Sequence, residues 1–279
     1  MLDHPEFARL ARDHGWDASR VLDHRDGLLW CRTARPVDTA YADARQAARD
    51  EALATSWWYR TRNAMILDLL DATGRPAALW DVGAGTGAVS RALVATGLPT
   101  IALEPSPAGA RFTAAHGLAS VVGTLEALAL PDAALPAIGL FDVLEHVEDR
   151  PALLGEIRRV LRPGAPLVLS VPAGSWLWSG FDVEERHQLR YSRDGLVDEL
   201  RIAGFATERV VHAFALLTAP IWLTRALPHR LGRGTRTDHE RAVRASGGPI
   251  GGMLSLVERG LAGRVPFGSS LLAVARTPG

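Results

Sequence analysis

The chain predicts a doubly wound α/β fold. Short apolar runs alternate regularly with helix-like segments, the first run ends in a glycine-rich turn, and acids stand near that turn and at the end of the next run. Strands separated by helices imply right-handed crossovers and a mostly parallel sheet covered on both faces. Ligands then belong above the carboxyl ends of the strands. The spacing predicts helices over 57–70, 87–96, 107–116, 151–162 and 193–203, and strands at 77–82, 99–103, 119–123, 136–141, 165–171, 206–212 and 269–276. That makes seven strands, the last antiparallel. Ser56 is placed to cap the first of these helices, and Gly74 and Pro76 end it.

Three segments depart from the alternation. Residues 1–56, rich in Arg, Ala and Asp, read as an N-terminal helical cap on a 57–279 domain, with a helix over 38–53. Residues 172–192 read as a long loop carrying Trp176, Trp178, Phe181, Asp182, His187 and Tyr191, and structureless loops of that length are usually functional. A helical insertion, 213–265, separates the last two strands and reads as a lid, a partner contact or a lipid contact.

Composition sets outer limits. The 279 residues are 47% hydrophobic and 22% charged, enough for a full core, and all 31 basic residues are arginine. A formal net charge of zero argues against nucleic acid as the main partner, since phosphate binding needs a basic surface. One cysteine, Cys31, excludes an intramolecular disulfide and a cysteine-rich zinc site. With no signal-like start and no run of about 18 apolar residues, the expected setting is the cytoplasm, without a transmembrane segment. The stretch 214–223 is apolar enough to lie on a membrane, to be buried, or to form a homodimer contact.

The sharpest motif is 79–87, Leu-Trp-Asp-Val-Gly-Ala-Gly-Thr-Gly. Gly83 and Gly85, with Ala84 between them, suit a turn with positive φ and close approach to a ligand. Asp81 can face a cation, and Glu104 ends the next apolar run, where an acid grips ribose hydroxyls. Gly83, Gly85 and Ala88 also satisfy the dinucleotide pattern. A pyrophosphate would be repelled by Asp81, whereas a sulfonium would not. S-adenosylmethionine is therefore favoured over NAD, which would make the chain an oxidoreductase.

After the run 137–141 comes Asp-Val-Leu-Glu-His-Val-Glu-Asp over 142–149, and an arginine-rich helix closes on Leu-Arg-Pro-Gly at 161–164. With the glycine motif, this pattern resembles the class I S-adenosylmethionine-dependent methyltransferases (type 11/12-like), in the group with Leu-Glu-His after the fourth strand. The resemblance spans about 57–205 and 267–277. It implies a Rossmann-like sheet and a methyltransferase acting on an oxygen or nitrogen of a small molecule, with biosynthesis or secondary metabolism as the expected setting. It assigns Asp81, Gly83, Ala84 and Gly85 to the methionine end of the cofactor, Glu104 and Pro105 to the ribose, Thr124 and Leu125 to the adenine edge, and Phe141 to the sulfonium. Arg62 or Arg60, in the aromatic cluster 57–63, offers a fork to the cofactor carboxylate.

His187 and His146 are the candidate bases for a substrate proton, or else they fasten their loops. Trp176 and Trp178 with Phe181, and Tyr191, are candidates for the substrate wall, or else the aromatic rings anchor the loop by packing. No metal is assigned, although Asp142, Glu145 and His146 form an oxygen and nitrogen donor set on one short segment, and some quinone-pathway O-methyltransferases with a similar segment hold a divalent cation there. Two further readings stay open: a non-catalytic cofactor-binding module that docks a protein through the insertion, and methylation of a lipid-linked molecule at a membrane surface.

Overall fold

The computed structural model describes residues 4–34, 56–233 and 249–279. The helix expected over 38–53 and the middle of the insertion lie outside the described residues. Nine strands form one sheet: β1 Leu22–Arg25, β2 Leu28–Cys31, β3 Leu79–Val82, β4 Thr100–Glu104, β5 Ala119–Val122, β6 Ile138–Phe141, β7 Pro166–Pro172, β8 Ala206–Ala213 and β9 Ser270–Arg276. Their order is β1-β2-β5-β4-β3-β6-β7-β9-β8. From β2 to β7 neighbouring strands pair in parallel, and β9 runs antiparallel to both β7 and β8.

All seven predicted strands are present. The two extra ones come from the N-terminal segment, which is not purely helical as expected. After the helix Pro5–His14 the chain makes an antiparallel hairpin, and its second strand joins β5 in parallel. Phe7, Leu10, Leu22 and Leu29 enter the main core, and the Trp16 indole N–H donates to the Leu128 carbonyl at 3.0 Å. The short hairpin escaped a reading by periodicity because four-residue strands carry too few alternations to register.

Burial on both faces explains the continuous apolar runs. In β7 all seven residues are buried, Leu167, Leu169 and Val171 on one side and Val168 on the other. One layer packs Leu154, Ile157, Leu196 and Leu200 from the helices Arg150–Val160 and Arg193–Ile202. The opposite layer packs Met65, Ile66, Leu69 and Leu70 from Trp57–Thr73, with Val89 and Leu93 from Ala88–Ala95. Ser56 caps Trp57–Thr73 by accepting from the Trp58 amide. The loop 172–192 contains two helical turns, Ser175–Leu177 and Gly180–Glu184. The insertion continues as Thr218–Ile221, a π-helical turn Trp222–Ala226 and Leu227–Arg230, and returns through Pro249–Leu261.

Candidate functional site

The carboxyl ends of β3, β4 and β6 lie side by side at the centre of the sheet, where β4 and β6 flank β3. Gly83 follows β3 with φ 75°, and a Cβ there would stand 2.6 Å from Val143 Cγ2. Conformation and space therefore both demand glycine at 83, and Gly85, at φ 58°, meets the conformational demand alone. The turn's amides are already engaged. Gly83 and Ala84 donate to the Leu103 carbonyl at 2.8 and 3.2 Å, and Gly85 donates to Glu104 Oε2 at 2.7 Å. The glycines thus supply close approach rather than vacant donors.

Two buried carboxyl groups bracket the turn. Glu104 accepts from Gly85 through one oxygen and from the Ser106 amide, at 2.8 Å, through the other, with Pro105 half-buried between. Burial pushes its pKa up to about 7, against the pull of those two bonds. Asp81 accepts from Ser90 Oγ at 2.5 Å through Oδ2, while its buried Oδ1 has no partner among the described residues. Burial raises it to about 6. Two desolvated acids, one with an orphaned oxygen, are what a cationic nucleoside ligand would complement.

The helix Trp57–Thr73 delivers Arg62 and turns Arg60 outward to solvent. The buried Arg62 guanidinium lies 4.9 Å from the Trp58 ring centroid and 5.2 Å from that of Tyr59, and it donates through Nη1 to Asp142. Its Nε is buried without a partner among the described residues. Asp142 holds φ 55°, a costly conformation for a residue with a Cβ. Ser170 fixes it twice: the Asp142 amide donates to the Ser170 carbonyl at 2.9 Å, and Ser170 Oγ donates to Asp142 Oδ1 at 2.8 Å. Phe141, just before it, is buried with its ring over Gly139, where a Cβ would stand 2.4 Å from Phe141 Cε2.

Beyond Asp142 the turn Leu144–His146 meets the long loop. The rings of His146 and His187 are 4.8 Å apart. Asp182, fully buried, joins His187 Nδ1 at 2.9 Å and accepts from Arg190 Nε at 2.6 Å and the Ser179 amide at 2.9 Å. Burial works to raise Asp182, but the bonds from His187 and Arg190 outweigh it and hold the carboxyl below its ordinary range. A carboxylate partner requires the proton on Nδ1, which leaves Nε2 as the ring nitrogen turned to other partners. Glu145 is buried with Oε2 unpartnered among the described residues, and burial together with the charge on Asp142 drives its pKa well up.

Glu145, His146 and His187 each place one donor atom within 4.8 Å of the others. Asp142 falls outside this group, because Arg62 and Ser170 engage its two oxygens. The donor set weighed from the sequence is thus not the one the fold assembles.

Other expectations shift as well. Tyr191 is 2% exposed within the main core and is unavailable as a substrate wall. Leu125 points its side chain into the same core, leaving only main chain for a ligand, while Thr124 is exposed. Trp178 is half-buried. Trp176 is exposed and its carbonyl accepts from Arg230 at 3.2 Å. Phe181, expected in the wall with the two tryptophans, lies with its ring centroid 6.0 Å from that of His187 and 5.2 Å from the Arg225 guanidinium. Ser90 was not legible as a site residue; its only signal was a hydroxyl on the inner face of the helix after the glycine turn.

Residues 80–169 match the family model for a methyltransferase domain. The chain is 33% identical over 149 residues to a malonyl-[acyl-carrier protein] O-methyltransferase of Methylococcus capsulatus, covering 48% of this chain and 54% of that protein. It is 32% identical over 138 residues to a ubiquinone biosynthesis O-methyltransferase of Xanthomonas oryzae, covering 43% and 57%. The chain thus spans about half the length of these curated relatives. The fold is similar to that of Haemonchus contortus phosphoethanolamine N-methyltransferase 2 in complex with S-adenosyl-L-methionine, with a TM-score of 0.56, 15% identity, and coverage of 87% of this chain and 59% of that one.

Proposed function

We propose that the chain is a class I S-adenosylmethionine-dependent methyltransferase, a reading supported by its match over residues 80–169 to the methyltransferase-domain model, and that it transfers a methyl group to an oxygen, or a nitrogen, of a small molecule. The two relatives named as O-methyltransferases support oxygen. The observation that carries the proposal is the division of the site: buried acids round a glycine turn on one side, and a carboxylate-held histidine beyond Phe141 on the other.

S-adenosylmethionine, when bound, supplies an electrophilic methyl on a sulfonium that leaves readily. The orphaned Asp81 oxygen and the Glu104 carboxyl suit its cationic and ribose ends. Arg62, shared with Asp142, has an Nε in reserve for a carboxylate. His187 Nε2 accepts the proton of the acceptor hydroxyl or amine as the new carbon–oxygen or carbon–nitrogen bond forms, and Asp182 stabilises the imidazolium. Phe181 and Trp176 shield the acceptor from water.

A second reading is favoured by Glu145, whose orphaned oxygen lies with His146 and His187: a divalent cation held by these three would lower the acceptor's pKa instead. Turnover that survives chelation disposes of it. The fold alone does not establish catalysis, since one scaffold hosts many functions. Incubation with isotopically labelled donor and panels of phenols, carboxylic acids and amines, followed by mass spectrometry, is expected to show a labelled methyl on a hydroxyl or carboxyl member. Binding of S-adenosylhomocysteine with no product in any panel would instead support a non-catalytic module.

A further inference from the structure

The insertion differs from the rest of the chain in charge and in surface. Between 213 and 265 the sequence holds eight arginines against Asp238, Glu240 and Glu258, a net of +5 in a chain whose formal charge is zero, so the remainder carries −5. Among the described residues, six of the eleven exposed large hydrophobics fall in the same stretch: Leu216, Leu223, Leu231, Met253, Leu256 and Val257. Soluble surfaces seldom concentrate apolar groups this way without a use.

The arrangement is ordered. In the helix Pro249–Leu261, Met253, Leu256 and Val257 stand at i, i+3 and i+4 and are 60%, 71% and 44% exposed, so one stripe faces outward. The opposite side is anchored. Leu254 packs on the core beneath Trp57–Thr73, and the fully buried Glu258 accepts from the amides of Ala215 and Leu216, both at 2.9 Å. Those bonds fasten this helix to the start of the other arm, which carries Leu223, Arg230 and Leu231.

The insertion also rises from the edge of the sheet that holds the site. Ala213 ends β8 opposite Ser270, which pairs with Pro172 at the carboxyl end of β7. Its π-helical turn then meets the acceptor loop, where Arg225 lies against Phe181 and Arg230 bonds to the Trp176 carbonyl.

We propose that the described arms of the insertion, 213–233 and 249–265, form an interfacial docking element that seats this face of the protein on an anionic lipid surface, with Met253, Leu256 and Val257 entering the headgroup boundary and the exposed Arg233 and Arg264 on lipid phosphates. Charge selects this occupant. A basic element on an acidic body is drawn to an anionic bilayer and turns the body away from it, whereas a second copy would bring +5 against +5. An aliphatic stripe flanked by arginines is the composition of a helix lying in the interface plane, and no described helix is long and apolar enough to cross the bilayer. The acceptor loop then opens beside the membrane, and the inference deepens the methyl-transfer reading by adding that the acceptor is lipophilic.

Co-sedimentation of the full chain, saturated with S-adenosylhomocysteine, with phosphatidylglycerol vesicles and with phosphatidylcholine vesicles tests it. Binding to the anionic vesicles, at least tenfold stronger than to the neutral ones and weakened by salt, is expected. Leu256→Asp should weaken it at least tenfold, and Arg233→Glu about fivefold or more, taking roughly fivefold per arginine near the surface. Calorimetry with S-adenosylhomocysteine checks that both variants remain folded. The proposal is overturned by equal binding to both vesicle types, by no binding to either, by sedimentation unchanged in Leu256→Asp, or by self-association that depends on Leu256 in the absence of lipid. These readouts are independent of turnover, so failure to bind vesicles leaves methyl transfer standing, and absence of any methylated product leaves the docking result standing.

Discussion

The donor half and the acceptor half of the site are built differently. Around the glycine turn the decisive contacts are short in sequence: Glu104 to Ser106 spans two residues, Asp81 to Ser90 nine, and Glu104 to Gly85 nineteen. On the acceptor side His187 is held locally, by Asp182 five residues away with Arg190 eight away, but the loop that carries it is braced over long spans: Gln188 to Glu145 is 43 residues, Arg230 to Trp176 is 54, and Ala215 to Glu258 is 43. One half is a property of adjacent strand ends. The other depends on an insertion and a loop finding each other after the sheet has formed. A fold can therefore keep its donor site while its acceptor side is rebuilt, and the two halves should respond separately to substitution.

The largest expected effect lies in the acceptor half. His187→Ala removes the proposed base and should lower kcat about a thousandfold in the labelled-methyl assay, with the affinity for S-adenosylhomocysteine unchanged. Equal loss of both would make His187 an organiser of the loop and dissolve the division between the halves. Next comes the donor half. Glu104→Ala removes an acceptor for two ribose hydroxyls and should weaken S-adenosylhomocysteine about a hundredfold by calorimetry, roughly 3 kcal/mol for two hydrogen bonds to a charged group. An unchanged affinity would detach Glu104 from the ligand.

The smallest effect sharpens the comparison through pH. With Glu104 raised to about 7 and Asp81 to about 6, both acids lose ionisation as pH falls, so the affinity for S-adenosylhomocysteine should drop roughly tenfold between pH 8 and pH 5.5. The stability of the ligand-free protein should move the other way. A carboxyl whose pKa is raised on folding contributes stability that is complete below its unfolded value near 4 and is lost as pH rises through 6 to 7. Thermal unfolding of Glu104→Gln across that range should lose the Glu104 share of the slope, and a slope identical to that of the parent chain would assign the effect elsewhere.

Legibility followed the same division. The glycine turn, Asp81, Glu104 and all seven core strands were readable, because an apolar run broken by glycine and closed by an acid leaves a local mark. Arg62 was one of two candidates, and only the helix's rotation on the sheet chose it over Arg60. Tyr191 misled for the opposite reason, since a residue beside a site in sequence can point into the core. His187 was visible as a histidine in a long loop, but nothing local announced that Asp182 and Arg190 would fix its tautomer.

What the sequence determined by itself is the doubly wound sheet, its glycine turn and the acids at its strand ends, because each follows from periodicity and backbone sterics within a few dozen residues. Tertiary structure alone decided that the first segment adds two strands to the sheet, that Asp142 binds Arg62 and leaves His187 to stand with Glu145 and His146, and that the basic, apolar insertion flanks the acceptor loop. These outcomes depend on which surfaces meet after the chain has closed on itself, and the positions that meet are too far apart in sequence for any local pattern to join them.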